Sequence, residues 1–198
     1  MDSVNRNIEI YGKAFDTYGD DSRSCLWSKP MIPRYQELVK IAPLENASVL
    51  EIGCGIGGVY EYMVKDCRIN NLTYKGVDLV EGMVELAKEK YPKAHFEVRN
   101  ILENPIEEQY DYVFFCGTFN FAMDEEFMKK MLKEGFSYCK KGMAFNFVST
   151  YVNFRNDEEE AAYYKPQDIF TFCVENLSKK VQMNHHYMKC DTSVFVYR

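Results

Sequence analysis

The run Val49-Leu50-Glu51-Ile52-Gly53-Cys54-Gly55-Ile56-Gly57-Gly58 constrains this chain more than any other stretch. A short, largely apolar segment runs straight into glycines at 53, 55, 57 and 58. Glycine costs conformational entropy on folding, so such density marks a backbone that takes left-handed angles or lets a ligand come close. A strand entering a glycine loop that opens a helix presents backbone N–H groups to a ligand. Two spacings coexist here. Gly53-x-Gly55-x-x-Gly58 fits the dinucleotide-binding pattern, while Glu51-x-Gly53-x-Gly55-x-Gly57 sets an acid two residues before the first glycine.

Further along, strand-like and helix-like segments alternate. Residues 48–52, 74–79, 95–98, 111–115 and 142–148 read as strands, and 58–65, 82–91 and 125–138 as helices, the last with Asp124 as N-cap. This alternation predicts a parallel sheet with helices on both faces. Pro166 opens another helix, and 180–187 with 192–198 predict a closing hairpin. The expected fold class is α/β: a seven-stranded, mostly parallel sheet with an antiparallel C-terminal strand. Ahead of it, Val4, Ile8, Tyr11, Phe15 and Tyr18 recur at helical spacing and predict one buried face, ended by Gly19. A second helix follows Pro33 and stops at Pro43. Residues 1–46 thus read as an N-terminal helical cap, a lid bringing Tyr11, Trp27 and Arg34 over a ligand, and 47–198 as one globular unit.

Composition narrows the partners. With 24 basic and 30 acidic residues the net charge is -6, which disfavours nucleic acid, since phosphate neutralisation needs a basic surface. The seven cysteines are scattered with no Cys-x-x-Cys pair, so neither a disulfide framework nor a metal site is expected. No signal peptide and no membrane-length apolar run is read from the sequence, and a cytoplasmic monomer or homodimer is expected.

The ends of the predicted strands choose between ligands. A carboxylate at Glu51 would repel a pyrophosphate but favours a ligand carrying an ammonium and a sulfonium. Asp78, in Gly76-Val77-Asp78-Leu79, is placed to accept hydrogen bonds from ribose hydroxyls. Asn100 ends the third strand, and Cys116-Gly117-Thr118-Phe119-Asn120 follows the fourth, at the carboxyl edge where open α/β sheets bind ligands. A dinucleotide sheet normally keeps its sixth strand parallel, unlike the hairpin read here.

With VLEIGCGIGG, YKGVDLVEGM, HFEVRNI and YDYVFFCGTFN in this order, residues 45–198 resemble class I S-adenosyl-L-methionine (SAM) dependent methyltransferases. AFNFVSTY, YYKPQDIF and NHHYM also resemble small bacterial members of that class. The resemblance implies SAM as cofactor and S-adenosyl-L-homocysteine (SAH) as product. It places Glu51, Gly53, Cys54, Gly55, Asp78, Leu79, Asn100, Ile101 and Cys116 around the cofactor. Where the class often has an acid to accept the adenine amino group, this chain has Asn100, whose carbonyl accepts without charge.

The acceptor is expected to be a small molecule methylated at oxygen, such as a sugar or other metabolite. No Asn/Asp-Pro-Pro-Tyr/Phe motif, which would mark a base or amide N-methyltransferase, follows the fourth strand. His185 and His186 are the candidate bases, on opposite faces of the sixth strand, while His95 reads as structural. Asn120 and Tyr151 are candidates to orient the acceptor, and Tyr163 with Tyr164 to wall it. The run 157–160, Asp-Glu-Glu-Glu, reads as a solvated helix start. A methyltransferase of a small amine, a non-catalytic SAM-binding protein and a nicotinamide oxidoreductase stand as alternatives.

Overall fold

The computed structural model describes residues 3–26, 31–121, 123–152 and 161–198. Seven strands form one sheet: β1 (Ser48–Ile52), β2 (Thr73–Asp78), β3 (His95–Val98), β4 (Tyr110–Phe115), β5 (Cys139–Val148), β6 (Val181–His185) and β7 (Asp191–Tyr197). Their order is β3-β2-β1-β4-β5-β7-β6. Pairings from β3 through β5 are parallel, and β7 runs antiparallel between β5 and β6.

Alternation along the strands assigns side chains to two apolar layers. Leu50, Val113, Phe115, Phe145 and Val194 point into one layer, which α5 (Glu125–Ser137) and α6 (Pro166–Asn176) cover. Val49, Tyr112, Phe114, Ala144 and Phe195 point into the other, beneath α2 (Ile32–Leu38), α3 (Gly58–Glu61) and α4 (Glu81–Lys90). Asp124 caps α5 by accepting from the Phe127 N–H, as its sequence position predicts. The helix expected over 58–65 is α-helical only through Glu61, and a wider π turn takes Tyr62–Asp66.

The first helix, α1 (Ser3–Tyr18), lies across the carboxyl edge of the sheet. Phe15 abuts Gly82 at the start of α4, and the Tyr11 ring meets Phe121 edge-on at 6.2 Å. Its inward face differs from the one the sequence predicts. Ile8 and Tyr18 are exposed, whereas Asn7 and Ala14 are buried. Asn7 donates to the Ser3 carbonyl at 2.9 Å and to the Phe121 carbonyl at 3.4 Å, so an asparagine occupies a position the apolar pattern assigns to solvent.

A buried ion pair ties α2 to β7. Arg34 and Asp191 are 1% and 0% exposed and form a two-point contact, Nε to Oδ2 and Nη2 to Oδ1, the latter at 2.7 Å. The Tyr187 hydroxyl adds a bond to Asp191 at 3.1 Å, and Asn146 donates to Tyr187 at 3.3 Å. Asn146 in turn accepts the Gly117 N–H at 2.7 Å. Removing one partner strands a charge in the interior. Arg34→Leu is expected to cost about 3–5 kcal/mol of unfolding free energy. The double change Arg34→Met with Asp191→Leu should recover most of that loss in urea denaturation. Equal losses for the single and double variants would contradict this account.

Candidate functional site

The carboxyl ends of β1, β2 and β4 open into a cavity of about 310 Å³, within the size range of small-molecule sites. The glycine loop forms its floor. Gly53 and Cys54 both donate to the Val77 carbonyl, at 2.8 and 3.1 Å, folding the loop over the end of β2. Gly53 has φ +80°, and a Cβ there would stand 2.6 Å from Thr118 Oγ1, so any larger residue would close the loop against the turn after β4.

Asp78 fixes the other side of the loop. Its Oδ2 accepts the Gly55 N–H at 2.8 Å and its Oδ1 the Val80 N–H at 3.0 Å. Each oxygen keeps a lone pair for a ligand hydroxyl. Burial raises the Asp78 pKa above its ordinary value, against the pull of those backbone donors. Leu79 lines the cavity beside it. Asn100 and the buried Ile101 line the wall after β3, where the Asn100 carbonyl accepts the Leu102 N–H at 3.1 Å.

Glu51 and Cys116 complete the wall nearest β4. Burial pushes the Glu51 carboxyl up to about 8, although the Tyr74 hydroxyl donates to it, and the Asp78 charge adds to the rise. Tyr11 reaches the cavity from α1. Burial drives its phenol far above ordinary, as it does the thiols of Cys54 and Cys116. Sequence reasoning missed Cys25 and Met83 in this wall, since neither carries a local motif.

The remaining candidates lie elsewhere. Trp27 and the acidic run 157–160 fall outside the described residues. Arg34 is not a cavity wall; Asp191 holds it beneath the turn at Gly117. Asn120 is buried behind the same turn. His185 is exposed, with Nε2 3.0 Å from Ser149 Oγ, and His186 beside it is exposed and left-handed at φ 66°. That left-handed residue ends β6 and breaks the expected alternation beyond His185. Tyr151 is 57% exposed and accepts from Gln167 at 2.7 Å. Tyr164 is core, donating to the Met123 carbonyl, and His95 is an exposed opening residue of β3.

A seven-stranded sheet of this order, with its last strand reversed and an acid-flanked glycine loop at its carboxyl edge, defines the class I methyltransferase fold. Residues 49–142 match the methyltransferase domain family. A putative methyltransferase of Invertebrate iridescent virus 6 is 38% identical over 36% of this chain and 27% of its own length. The malonyl-[acyl-carrier protein] O-methyltransferase of Priestia megaterium is 33% identical over 66% of this chain and 46% of its own. The chain thus spans less than half the length of these two curated relatives. Among solved structures, the SAH-bound magnesium protoporphyrin IX methyltransferase of Synechocystis PCC 6803 shares the fold over 100% of both chains, at TM-score 0.74 and 15% identity. A TehB-like SAM-dependent methyltransferase of Corynebacterium glutamicum does so over 98% of this chain and 100% of its own, at TM-score 0.64 and 15% identity. Residues 49–142 thus resemble the methyltransferase domain family, and the fold is the one these SAM-dependent methyltransferases share.

Glu51 gives the cavity a pH signature. Between the ordinary carboxyl value of 4.5 and about 8, folded Glu51 keeps a proton that the unfolded chain has lost. Its contribution to stability is therefore full below that interval and falls as pH rises through it. The thermal midpoint of the ligand-free protein should decline relative to Glu51→Gln across this window, the gap widening toward pH 8. Parallel curves would mean that the folded carboxyl is already ionised.

Proposed function

We propose that this chain transfers a methyl group from SAM to an oxygen atom of a small molecule. The observation that carries the reading is the cavity itself: glycine-loop backbone, Glu51 and Asp78 meet at the carboxyl ends of adjacent strands. The donor set suits SAM. Asp78 holds ribose hydroxyls, Glu51 faces the ammonium of the methionine part, and the Asn100 carbonyl takes the adenine amino group. Gly53 and Gly55 bring backbone close enough to touch the ligand, and Tyr11 covers it from α1.

When bound, SAM supplies an activated methyl on a sulfonium. The residues here provide alignment and a water-poor setting, the two contributions that displacement at carbon most needs. Cys116, Gly117 and Thr118 bound the cavity after β4. Their sequence lacks the Asn/Asp-Pro-Pro-Tyr/Phe pattern of base and amide N-methyltransferases, which favours oxygen as the acceptor atom.

Calorimetry with SAH, and with NADH in parallel, tests the cofactor assignment. One-to-one micromolar binding of SAH and silence with NADH is expected. Asp78→Ala should weaken SAH by about ten-fold or more, the worth of hydrogen bonds to a charged group. Unchanged affinity would remove Asp78 from the site.

A further inference from the structure

Asp78 suits the ribose hydroxyls of SAM, Glu51 its ammonium and Asn100 its adenine amino group, which leaves the methionine carboxylate without a seat. A carboxylate taken out of water needs hydrogen-bond donors. The described lining of the cavity holds two cations, Lys90 and Arg99. Each is already paired with a carboxylate of the fold, Lys90 with Asp20 and Arg99 with Glu97. A neutral donor is therefore required.

Tyr35 on α2 is such a donor, and it lines the cavity together with Glu51, Gly58 and Cys116. Its ring packs against the apolar layer that contains Leu38 and lies 6.0 Å from the Tyr62 ring. That packing carries the hydroxyl over the start of α3. A Cβ on Gly58 would stand 3.0 Å from Tyr35 Cζ and closer still to the hydroxyl oxygen. Gly58 is not among the glycines with left-handed angles, so its glycine is explained by the phenol that fills the place of a side chain. No described residue gives the Tyr35 hydroxyl a hydrogen bond. A tyrosine hydroxyl drawn out of water normally has a partner.

We propose that the Tyr35 hydroxyl donates to the methionine carboxylate of SAM, and so selects cofactors that carry an intact amino acid. The inference rests on the SAM reading above and adds a specificity residue to it. Three arguments support it. First, the ammonium and carboxylate of an amino acid hang from one carbon, so their seats must adjoin. Glu51 is near enough for its charge to act on the Tyr35 phenol, and both residues line the cavity. Second, a donor must keep its proton. Burial raises the Tyr35 phenol far above its ordinary value, so the hydroxyl stays a donor across the neutral range. Third, nothing beside it repels an anion at neutral pH. Burial pushes the Cys25 thiol up to about 12 and the Cys116 thiol well above its ordinary value, and it holds the proton on Glu51 to about 8.

Tyr35→Phe removes one oxygen atom and keeps the ring, and calorimetry with three ligands tests its role. SAH carries the whole amino acid, S-adenosyl-3-thiopropylamine lacks only the carboxylate, and 5′-methylthioadenosine lacks the amino acid altogether. The variant should bind SAH about ten-fold or more weakly than the parent protein, the worth of a hydrogen bond to a charged group. It should bind the other two as the parent does, within about two-fold. Its ligand-free thermal midpoint should stay within about 1 °C of the parent's, since the hydroxyl holds nothing in the fold. Unchanged affinity for SAH, or equal weakening of all three ligands, would overturn the carboxylate seat. A midpoint lowered by several degrees would place the hydroxyl in the service of the fold and overturn it as well. Failure of the parent protein to bind SAH would instead overturn the cofactor reading, so the two failures are separable.

Discussion

The ion pair between Arg34 and Asp191 is the contact on which the arrangement at the carboxyl edge depends. Two charges this deeply buried are tolerated only when geometry and further hydrogen bonds compensate for lost water. Here the guanidinium presents two nitrogens to two oxygens, and the Tyr187 hydroxyl takes a remaining lone pair. The chain of bonds then passes through Asn146 to the Gly117 backbone. One pair therefore fixes the position of α2, the start of β7 and the turn after β4 together. Glu37, one helical turn past Arg34, reinforces the junction by accepting from Ser193 and Asn184.

The sheet was legible in the sequence because its signals are local. Alternating apolar residues, glycine and proline punctuation and the Asp124 cap each act within a few residues of the element they define. The cavity wall was legible for a related reason. Glu51, Asp78, Asn100 and Cys116 all sit at the carboxyl ends of strands, and in an open parallel sheet those ends meet along one edge. What the sequence did not disclose is pairing at a distance. Arg34 reads as a residue reaching toward a ligand, yet its partner stands 157 residues further on in an unremarked Cys-Asp-Thr stretch. The face of α1 was misread because Asn7 turns inward, donating to the Ser3 carbonyl of its own helix and the Phe121 carbonyl across from it. His185 follows the strand pattern to the carboxyl edge, but its ring turns to Ser149, outside the cavity.

The cavity is a place where protons are held. Thiols, phenols and one carboxyl around it are shifted upward by the same cause, removal from water. The solved structures of Synechocystis and Corynebacterium share this fold at 15% identity.

The place of β7 in the sheet bears on how the molecule comes into being. It is inserted between β5 and β6 and follows every other strand in the chain. During synthesis from the amino end, β1 to β5 can pair as they emerge, but Arg34 must wait for Asp191. Until then a guanidinium has no reason to leave water, and α2 is held by apolar packing of Leu38 on that side of the sheet. Pairing of Arg34 with Asp191 thus comes after the other strands of the sheet have emerged, and a polypeptide interrupted before β7 would carry β1 to β5 with Arg34 still without its carboxylate.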